Sequence, residues 1–192
     1  MIKAIIFDYA GVISKNGYWL WLRQTIPDIN QKEDLFQKIS EEVDSAKISH
    51  EEFMDILSKA SGKTPQQVWA EVKEKFVINP YLLKVIKQLK KKYKMGLLTN
   101  FTYPWFKYLL EENDLPVYFD QILISSLHKV IKPNPKAFTK MLTMLKVKAD
   151  EALFIDDTYI NIEAAAKVGL QGILYTTDEE LIQYLNKLGV KQ

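Results

Sequence analysis

The sequence predicts an α/β fold, namely a Rossmann-like, doubly wound parallel sheet with a small helical segment inserted after its first strand. The first observation behind this prediction is a series of short Ile-, Val-, Leu- and Phe-rich runs that lack polar alternation. Such runs are typical of strands buried on both faces of a parallel sheet. The second observation is that helical patterns separate the later runs, which indicates right-handed crossovers between parallel strands.

The predicted core elements alternate along the chain. The apolar runs predict strands at Ala4–Phe7, Met95–Leu98, Gln121–Ile124, Ala152–Ile155 and Gly172–Tyr175. The later helical patterns predict helices at Tyr103–Asn113, Pro135–Lys146, Ile160–Val168 and Asp178–Leu188. Because each connection between parallel strands must return over one face of the sheet, we expect these helices to pack on its faces.

The segment between the first two predicted strands has a different character. Residues 14–78 contain no strand-like run but several helix start signals. Ser49 has a glutamate three residues later, and Thr64 is followed by a proline and then by Gln67, as in capping boxes. Asn79-Pro80 marks the return to the main fold. We therefore expect an α/β core formed by residues 1–13 and 79–192, with a helical domain at 14–78.

Composition excludes several kinds of site and partner. The 192 residues include no cysteine, so disulfides, thiolate metal sites and cysteine nucleophiles are ruled out. The 26 basic and 24 acidic side chains nearly balance, which argues against a dedicated nucleic-acid binder. The apolar runs are too short for a membrane span or a signal peptide. We expect a cytoplasmic monomer or weak homodimer with no nucleic-acid or membrane partner.

Polar side chains directly follow the predicted strands. They are Asp8 after the first strand, Thr99 and Asn100 after the second, Ser125, Ser126 and then Lys132 after the third, and Asp156 and Asp157 after the fourth. Ligands of open α/β sheets bind beyond the carboxyl ends of the strands, so we expect these side chains to meet. Carboxylates without His or Cys suit Mg²⁺, a lysine suits a phosphate oxygen, and an aspartate can form an aspartyl-phosphate.

Each of these residues also has an ordinary structural explanation. An aspartate after a strand is commonly a turn residue or a helix cap, and a Lys-Pro-Asn-Pro run is commonly a loop before a helix. Their joint occurrence after separate strands of one predicted sheet favours a functional site.

The polar side chains belong to four segments: Phe7–Ile13, Leu97–Asn100, Lys132–Phe138 and Phe154–Asn161. In this order the segments resemble motifs I to IV of the haloacid dehalogenase-like hydrolase superfamily. The helical segment after the first motif has the position of the type-1 cap of that superfamily. The resemblance covers nearly the whole chain and implies an Mg²⁺-dependent hydrolase of a small-molecule phosphate ester.

The resemblance also implies a role for each matching residue. Asp8 would be the nucleophile and a Mg²⁺ ligand, and the backbone oxygen of Ala10 would be a second ligand. Asp157 would bind the metal directly, with Asp156 and Asn161 in supporting positions.

Three further residues would act on the phosphoryl group by the same resemblance. Thr99 and the Asn100 amide would hold it. Lys132 would neutralise both the phosphate and Asp8.

Ala10 departs from the family pattern. Family phosphatases usually have an aspartate two residues after the nucleophile, where it protonates the leaving alcohol and then activates water. Alanine can do neither, and loss of general acid–base help costs about 10²–10⁴-fold in rate. The backbone metal ligand survives, and the chain is similar to sugar-phosphate phosphatases that have a small residue at this position. A good leaving group, a water molecule or a cap residue would compensate.

Three functions follow from these observations. The first is an Mg²⁺-dependent phosphatase for a small phosphorylated metabolite, such as a sugar phosphate. The second is a catalytically impaired relative that binds a phosphorylated ligand or partner, which Ala10 alone favours. The third is a 2-haloacid dehalogenase, which would require a tyrosine in place of Ala10 and an arginine for which Arg23 is the one candidate.

Aromatic residues around the predicted site have two interpretations, substrate contact or internal packing, and packing is the commoner role for such residues. They are Tyr18, Trp19 and Trp21 of the helical segment, together with Phe101, Tyr103, Trp105 and Phe106 after the second motif.

Overall fold

Five parallel strands form one sheet in the computed structural model, which describes residues 1–190. The strands are β1 (Ala4–Phe7), β2 (Lys94–Thr99), β3 (Gln121–Ile124), β4 (Ala152–Asp156) and β5 (Gln171–Leu174). Their order across the sheet is β3-β2-β1-β4-β5, and every neighbouring pair is parallel. The predicted α/β fold is confirmed, and each predicted strand end lies within one residue of the observed end.

The helices cover the sheet and fill the segment after β1. They are α1 (Gly17–Thr25), α2 (Glu33–Asp44), α3 (His50–Ser61), α4 (Pro65–Lys73), α5 (Pro80–Leu89), α6 (Tyr103–Glu112), α7 (Ser125–His128), α8 (Pro135–Leu145), α9 (Tyr159–Lys167) and α10 (Asp178–Lys187). The four predicted core helices correspond to α6, α8, α9 and α10. Within residues 1–190, no helix has the length and apolar character needed to cross a membrane.

Residues 14–78, called the insertion from here on, hold α1 to α4. The capping signals act as predicted: the Ser49 hydroxyl accepts from the Glu52 backbone N–H at 3.0 Å, and Thr64 and Gln67 form a reciprocal capping box. The two connections to the core run side by side, because the Lys15 N–H donates to the Val77 carbonyl at 3.0 Å. The exact domain boundaries stay a prediction.

Two apolar clusters hold the layers together. On one face of the sheet, the apolar side chains of α8 and α9 pack against the alternate strand residues Ala4 and Ile6. On the other face, Ile5 and Phe7 belong to a larger cluster that includes α5, α6 and α10 and continues into the insertion. The alternation along β1 explains its apolar sequence, since both of its faces are buried.

Aromatic stacking between α4 and α6 fastens the insertion to the core. Trp69 of α4 lies parallel to Trp105 of α6, with a ring-centroid distance of 5.2 Å and an interplanar angle of 23°. Phe53 of α3 packs against the same indole edge-on, at 5.2 Å. Trp105 is therefore the core residue on which two helices of the insertion meet.

Trp69→Ala should weaken this attachment and lower the free energy of unfolding by about 2 kcal/mol, because half-buried aromatic contact area is lost without replacement. Urea unfolding followed by circular dichroism measures the change. Tyr159→Ala is the matched control, since Tyr159 is 63% exposed and its loss should change stability by less than about 0.5 kcal/mol. Equal losses in the two variants would contradict the role assigned to the stack.

Candidate active site

A buried lysine links two aspartates at the carboxyl ends of neighbouring strands. Lys132 Nζ lies 2.7 Å from Asp8 Oδ1 and 2.7 Å from Asp156 Oδ2. The lysine side chain is only 1% exposed, so both ion pairs are shielded from water. The three groups therefore form one charged unit beneath the surface.

Strand register explains why the two aspartates are neighbours. The β1–β4 pairing places Phe7 opposite Ile155, and the Asp8 N–H continues the ladder by donating to the Ile155 carbonyl at 2.9 Å. Asp8 and Asp156 are the next residues along their strands. In this register, the residues at the carboxyl ends of the two parallel strands lie side by side at the same edge of the sheet.

Asn100, directly after β2, holds Lys132 in place. Its side-chain Oδ1 accepts from the Lys132 backbone N–H at 2.8 Å, and its Nδ2 donates to the Lys132 carbonyl at 2.9 Å. No sequence pattern predicts this paired contact. It shows that the side chain of Asn100 positions the lysine, while the predicted contact with a phosphoryl group stays a prediction.

Asp156 has hydrogen-bond partners at both carboxylate oxygens. Besides Lys132, it accepts from Asn161 Nδ2 at 3.0 and 3.1 Å and from the Thr158 backbone N–H at 2.8 Å. The Asn161 contact comes from the first turn of α9. A carboxylate with this many donors is suited to orienting Lys132 and has little capacity left for a direct metal bond.

Asp157 completes a cluster of carboxylates. One oxygen each from Asp8, Asp156 and Asp157 lie within 4.8 Å of one another, and Asp157 is the exposed member. Gly11 makes room for it: a Cβ on Gly11 would lie 1.9 Å from Asp157 Oδ2, and the backbone φ of +95° also favours glycine. The carboxylate oxygens of Asp8 and Asp157 therefore form an all-oxygen donor pair beside the Lys132 ion pairs, which fits a hard divalent cation such as Mg²⁺.

Burial dominates the titration of the charged groups. It raises the pKa of Asp8 to about 7 despite the lowering effect of Lys132, and Asp156 and Asp157 raise it further. Burial also raises the pKa of Asp157, with Asp156 adding to the effect. For Lys132, burial lowers the pKa but Asp156 and Asp8 together raise it above the ordinary value, so the lysine is protonated. The ionised forms of Asp8 and Asp157 are therefore unfavourable on their own, and a bound cation would stabilise them.

A cavity of about 400 Å³ opens over these groups. Of the predicted site residues, those that line it are Asp8, Ala10, Asn100, Lys132, Asp157 and Asn161. Thr99 and Asp156 are buried and do not belong to its lining. The Thr99 hydroxyl is buried and has no hydrogen-bond partner among the described residues, so its predicted contact with a phosphoryl group stays a prediction.

The aromatic residues divide between the two predicted interpretations. Those that line the cavity are Tyr18, Trp19, Phe101 and Trp105. Trp21 and Phe106 are buried in packing, and the Trp21 indole N–H donates to Glu71 at 2.9 Å. Arg23 does not line the cavity; it is exposed and lies 3.5 Å from Glu33.

The polar wall that α2 contributes to the cavity was not predicted from the sequence. This wall consists of Gln37, Ser40, Glu41 and Asp44, which occupy one stripe of the helix at spacings of three and four residues. The stripe lies beside the apolar positions Phe36, Ile39 and Val43. A polar stripe of this kind is typical of any solvated helix face, so the sequence pattern alone does not distinguish a cavity wall from ordinary surface.

A sequence model of the haloacid dehalogenase-like hydrolase family matches residues 2–169. The chain therefore belongs to this family of hydrolases, as the four motifs predicted. The fold agrees: a HAD family enzyme from Bacteroides thetaiotaomicron, solved as a magnesium complex, superposes with a TM-score of 0.80 at 23% identity, over 96% of this chain and 98% of that one.

Among curated relatives, the glyceraldehyde 3-phosphate phosphatase of Pyrococcus abyssi is 37% identical over 87 residues, which is 43% of this chain and 35% of the relative. The matched part of this chain thus spans about a third of that relative's length. The glyceraldehyde 3-phosphate phosphatase of Methanopyrus kandleri is 26% identical over 179 residues, which is 82% of this chain and 76% of the relative.

Gly11→Ala should abolish the increase in Tm that MgCl₂ causes, because the new Cβ would occupy the position of the Asp157 carboxylate. A ligand present at 100 times its Kd stabilises a protein by about 2.7 kcal/mol, so MgCl₂ should raise the Tm of the wild type by several degrees. Thermal unfolding with and without MgCl₂ compares the variants.

Gly62→Ala is the matched control for backbone strain. Gly62 also has a positive φ, +68°, but no atom lies within 4 Å of the site of a Cβ. We expect this variant to lose about 1 kcal/mol of stability and to keep the full response to MgCl₂. A full response in Gly11→Ala would contradict the placement of the cation at Asp157.

Proposed function

We propose that this protein is an Mg²⁺-dependent phosphatase for small phosphate esters and that Asp8 carries the phosphoryl group as an aspartyl-phosphate. The observation that carries the proposal is the position of the Asp8 carboxylate. It lies at the wall of a ligand-sized cavity, and its Oδ1 is 2.7 Å from the buried ammonium of Lys132. One of its oxygens also lies within 4.8 Å of a carboxylate oxygen of Asp157, which is exposed. An oriented carboxylate beside a fixed positive charge is suited to attack phosphorus.

Each residue of the site has its own role in the proposed reaction. An Asp8 oxygen attacks the phosphorus, and the Lys132 ammonium stabilises the negative charge on the phosphoryl oxygens. Asn100 lines the cavity and would hold the group that is transferred, with Thr99 buried next to it in the chain. Asp8, Asp157 and the Ala10 carbonyl would hold Mg²⁺, which when bound supplies further positive charge to the phosphoryl oxygens.

The cavity favours a substrate of the size of a sugar phosphate. Its volume of about 400 Å³ falls in the range of small-molecule sites. One wall is polar, from α2, and another is aromatic, from Tyr18, Trp19 and Trp105. A polyol chain with a phosphate at one end matches this combination, and the relatives named as glyceraldehyde 3-phosphate phosphatases support the same class of substrate.

A binding protein without turnover is the second candidate, and Ala10 is the observation that favours it. Ala10 lines the cavity with a methyl group that neither donates nor accepts a proton. Haloacid dehalogenation has less support, because that reaction would need an arginine at the site and Arg23 lies outside the cavity.

Hydrolysis of 4-nitrophenyl phosphate tests the proposal. The wild type should release 4-nitrophenolate in the presence of MgCl₂, and this hydrolysis should stop when EDTA is added. Asp8→Asn should lose at least about 10³-fold in kcat/KM, because the amide is not a nucleophile. Asp55→Asn is the control: it makes the same chemical change at an exposed residue of α3 that does not line the cavity, and it should keep wild-type activity.

Two results would contradict the phosphatase. One is hydrolysis that persists in Asp8→Asn. The other is the absence of turnover with this substrate and with sugar phosphates while calorimetry shows that phosphate and Mg²⁺ bind, which would favour the binding protein.

A further inference from the structure

The proposed reaction leaves one proton without a source. When the bond between phosphorus and the leaving oxygen breaks, an alkoxide or phenoxide forms unless an acid protonates it. Ala10 has no proton to give, and Lys132 is committed to the ion pairs with Asp8 and Asp156. The need for a separate acid rests on the proposed phosphatase function.

Asp44 is the carboxyl group that the insertion brings to the cavity. It is the last residue of α2 and lines the same cavity as Asp8 and Lys132. Its side chain is partly buried, and the backbone N–H of Thr102, just before α6, faces its carboxyl group. The group thus lies where the insertion and the core meet, on the cavity that holds the proposed nucleophile.

The position of Asp44 is unfavourable for stability. A negative charge at the C-terminus of a helix opposes the helix dipole, and α2 has no basic residue in its last turn to compensate. Glu41, one turn earlier, adds like charge. Among residues 1–190, no basic side chain forms an ion pair with Asp44. Capping or ion pairing therefore does not account for an acidic residue here.

The surroundings favour the protonated form of Asp44. Burial raises its pKa to about 8; Lys132 lowers it, Glu41 and Asp8 raise it, and the Thr102 N–H lowers it. From α3, His50 contacts the Thr102 hydroxyl at 3.2 Å, and burial lowers the pKa of this histidine, so it adds no positive charge at neutral pH. A carboxyl group that keeps its proton near neutral pH can donate it to a leaving group.

We propose that Asp44 is the general acid of the reaction and takes the place of the side chain that Ala10 lacks. As an Asp8 oxygen bonds to phosphorus and the bond to the leaving oxygen breaks, the Asp44 proton passes to that oxygen and an alcohol leaves. The Asp44 carboxylate then takes a proton from a water molecule. The oxygen of that water bonds to phosphorus while the bond between phosphorus and the Asp8 oxygen breaks, so inorganic phosphate leaves, Asp8 is a carboxylate and Asp44 is protonated again.

The proton donor and the nucleophile would then lie on different parts of the chain. Asp8 belongs to the core, whereas Asp44 belongs to the insertion. Asp44 lines the cavity because the insertion packs against the core at this point. The insertion would therefore take part in the chemistry itself as well as in the choice of substrate.

Leaving-group dependence tests this role. With phenyl phosphate and 4-nitrophenyl phosphate, kcat/KM reports the steps up to release of the phenol. In Asp44→Asn, kcat/KM should fall about 10²-fold or more for phenyl phosphate, which needs the proton, and less than about 10-fold for 4-nitrophenyl phosphate. Circular dichroism and the Tm of the variant check that it folds.

Asp34→Asn is the matched control, because it makes the same chemical change on the same helix at an exposed residue that does not line the cavity. It should change kcat/KM by the same factor for both substrates. A leaving-group-dependent loss in Asp34→Asn, or a uniform loss in Asp44→Asn, would overturn the assignment to Asp44.

The wild type provides a test that needs no variant. Its kcat/KM values for the two substrates should lie within about 10-fold of each other, because the leaving oxygen is protonated as it departs. A steep preference for 4-nitrophenyl phosphate would overturn the role of Asp44 and leave the phosphatase standing. Absence of hydrolysis with both substrates would overturn the proposed phosphatase and the inference with it.

Discussion

The buried ion pairs of Lys132 are the interaction on which the rest of the site depends. Its ammonium lies 2.7 Å from an oxygen of Asp8 and 2.7 Å from one of Asp156, with almost no exposure to water. A buried charge of either sign is costly when alone, so each of the three groups needs the other two. Asn100 holds the lysine backbone through two hydrogen bonds. These contacts join the ends of β1, β2 and β4 and hold the Asp8 carboxylate in one position.

Function in this account is shared between a fixed core and the insertion that covers it. The core presents Asp8, Lys132 and Asp157 at the ends of parallel strands, where the register fixes their spacing. The insertion supplies the polar wall of the cavity and Asp44. Ala10 departs from the usual family pattern, in which the core supplies the general acid. In this account the insertion supplies the general acid instead, through Asp44.

The fold and the centre of the site were predictable because their signals are local. Buried strands such as Ala4–Phe7 have a distinctive apolar composition, and parallel strands must bring Asp8 and Asp157 to the same edge. The role of Asn100 was not predictable, because it depends on the distance between the end of β2 and the loop that holds Lys132. Asp44 was not predictable either, since its helix shows the same polar spacing as any solvated surface helix.

Direct detection of the phosphorylated enzyme tests the central claim that Asp8 forms a covalent bond to phosphorus. The wild type is mixed with 4-nitrophenyl phosphate and MgCl₂ and quenched with acid within one turnover. Borohydride reduction then converts an aspartyl-phosphate to homoserine, which peptide mass spectrometry locates. The account predicts homoserine at position 8 and nowhere else. Turnover in which Asp8 stays unmodified, or homoserine at another aspartate, would contradict it.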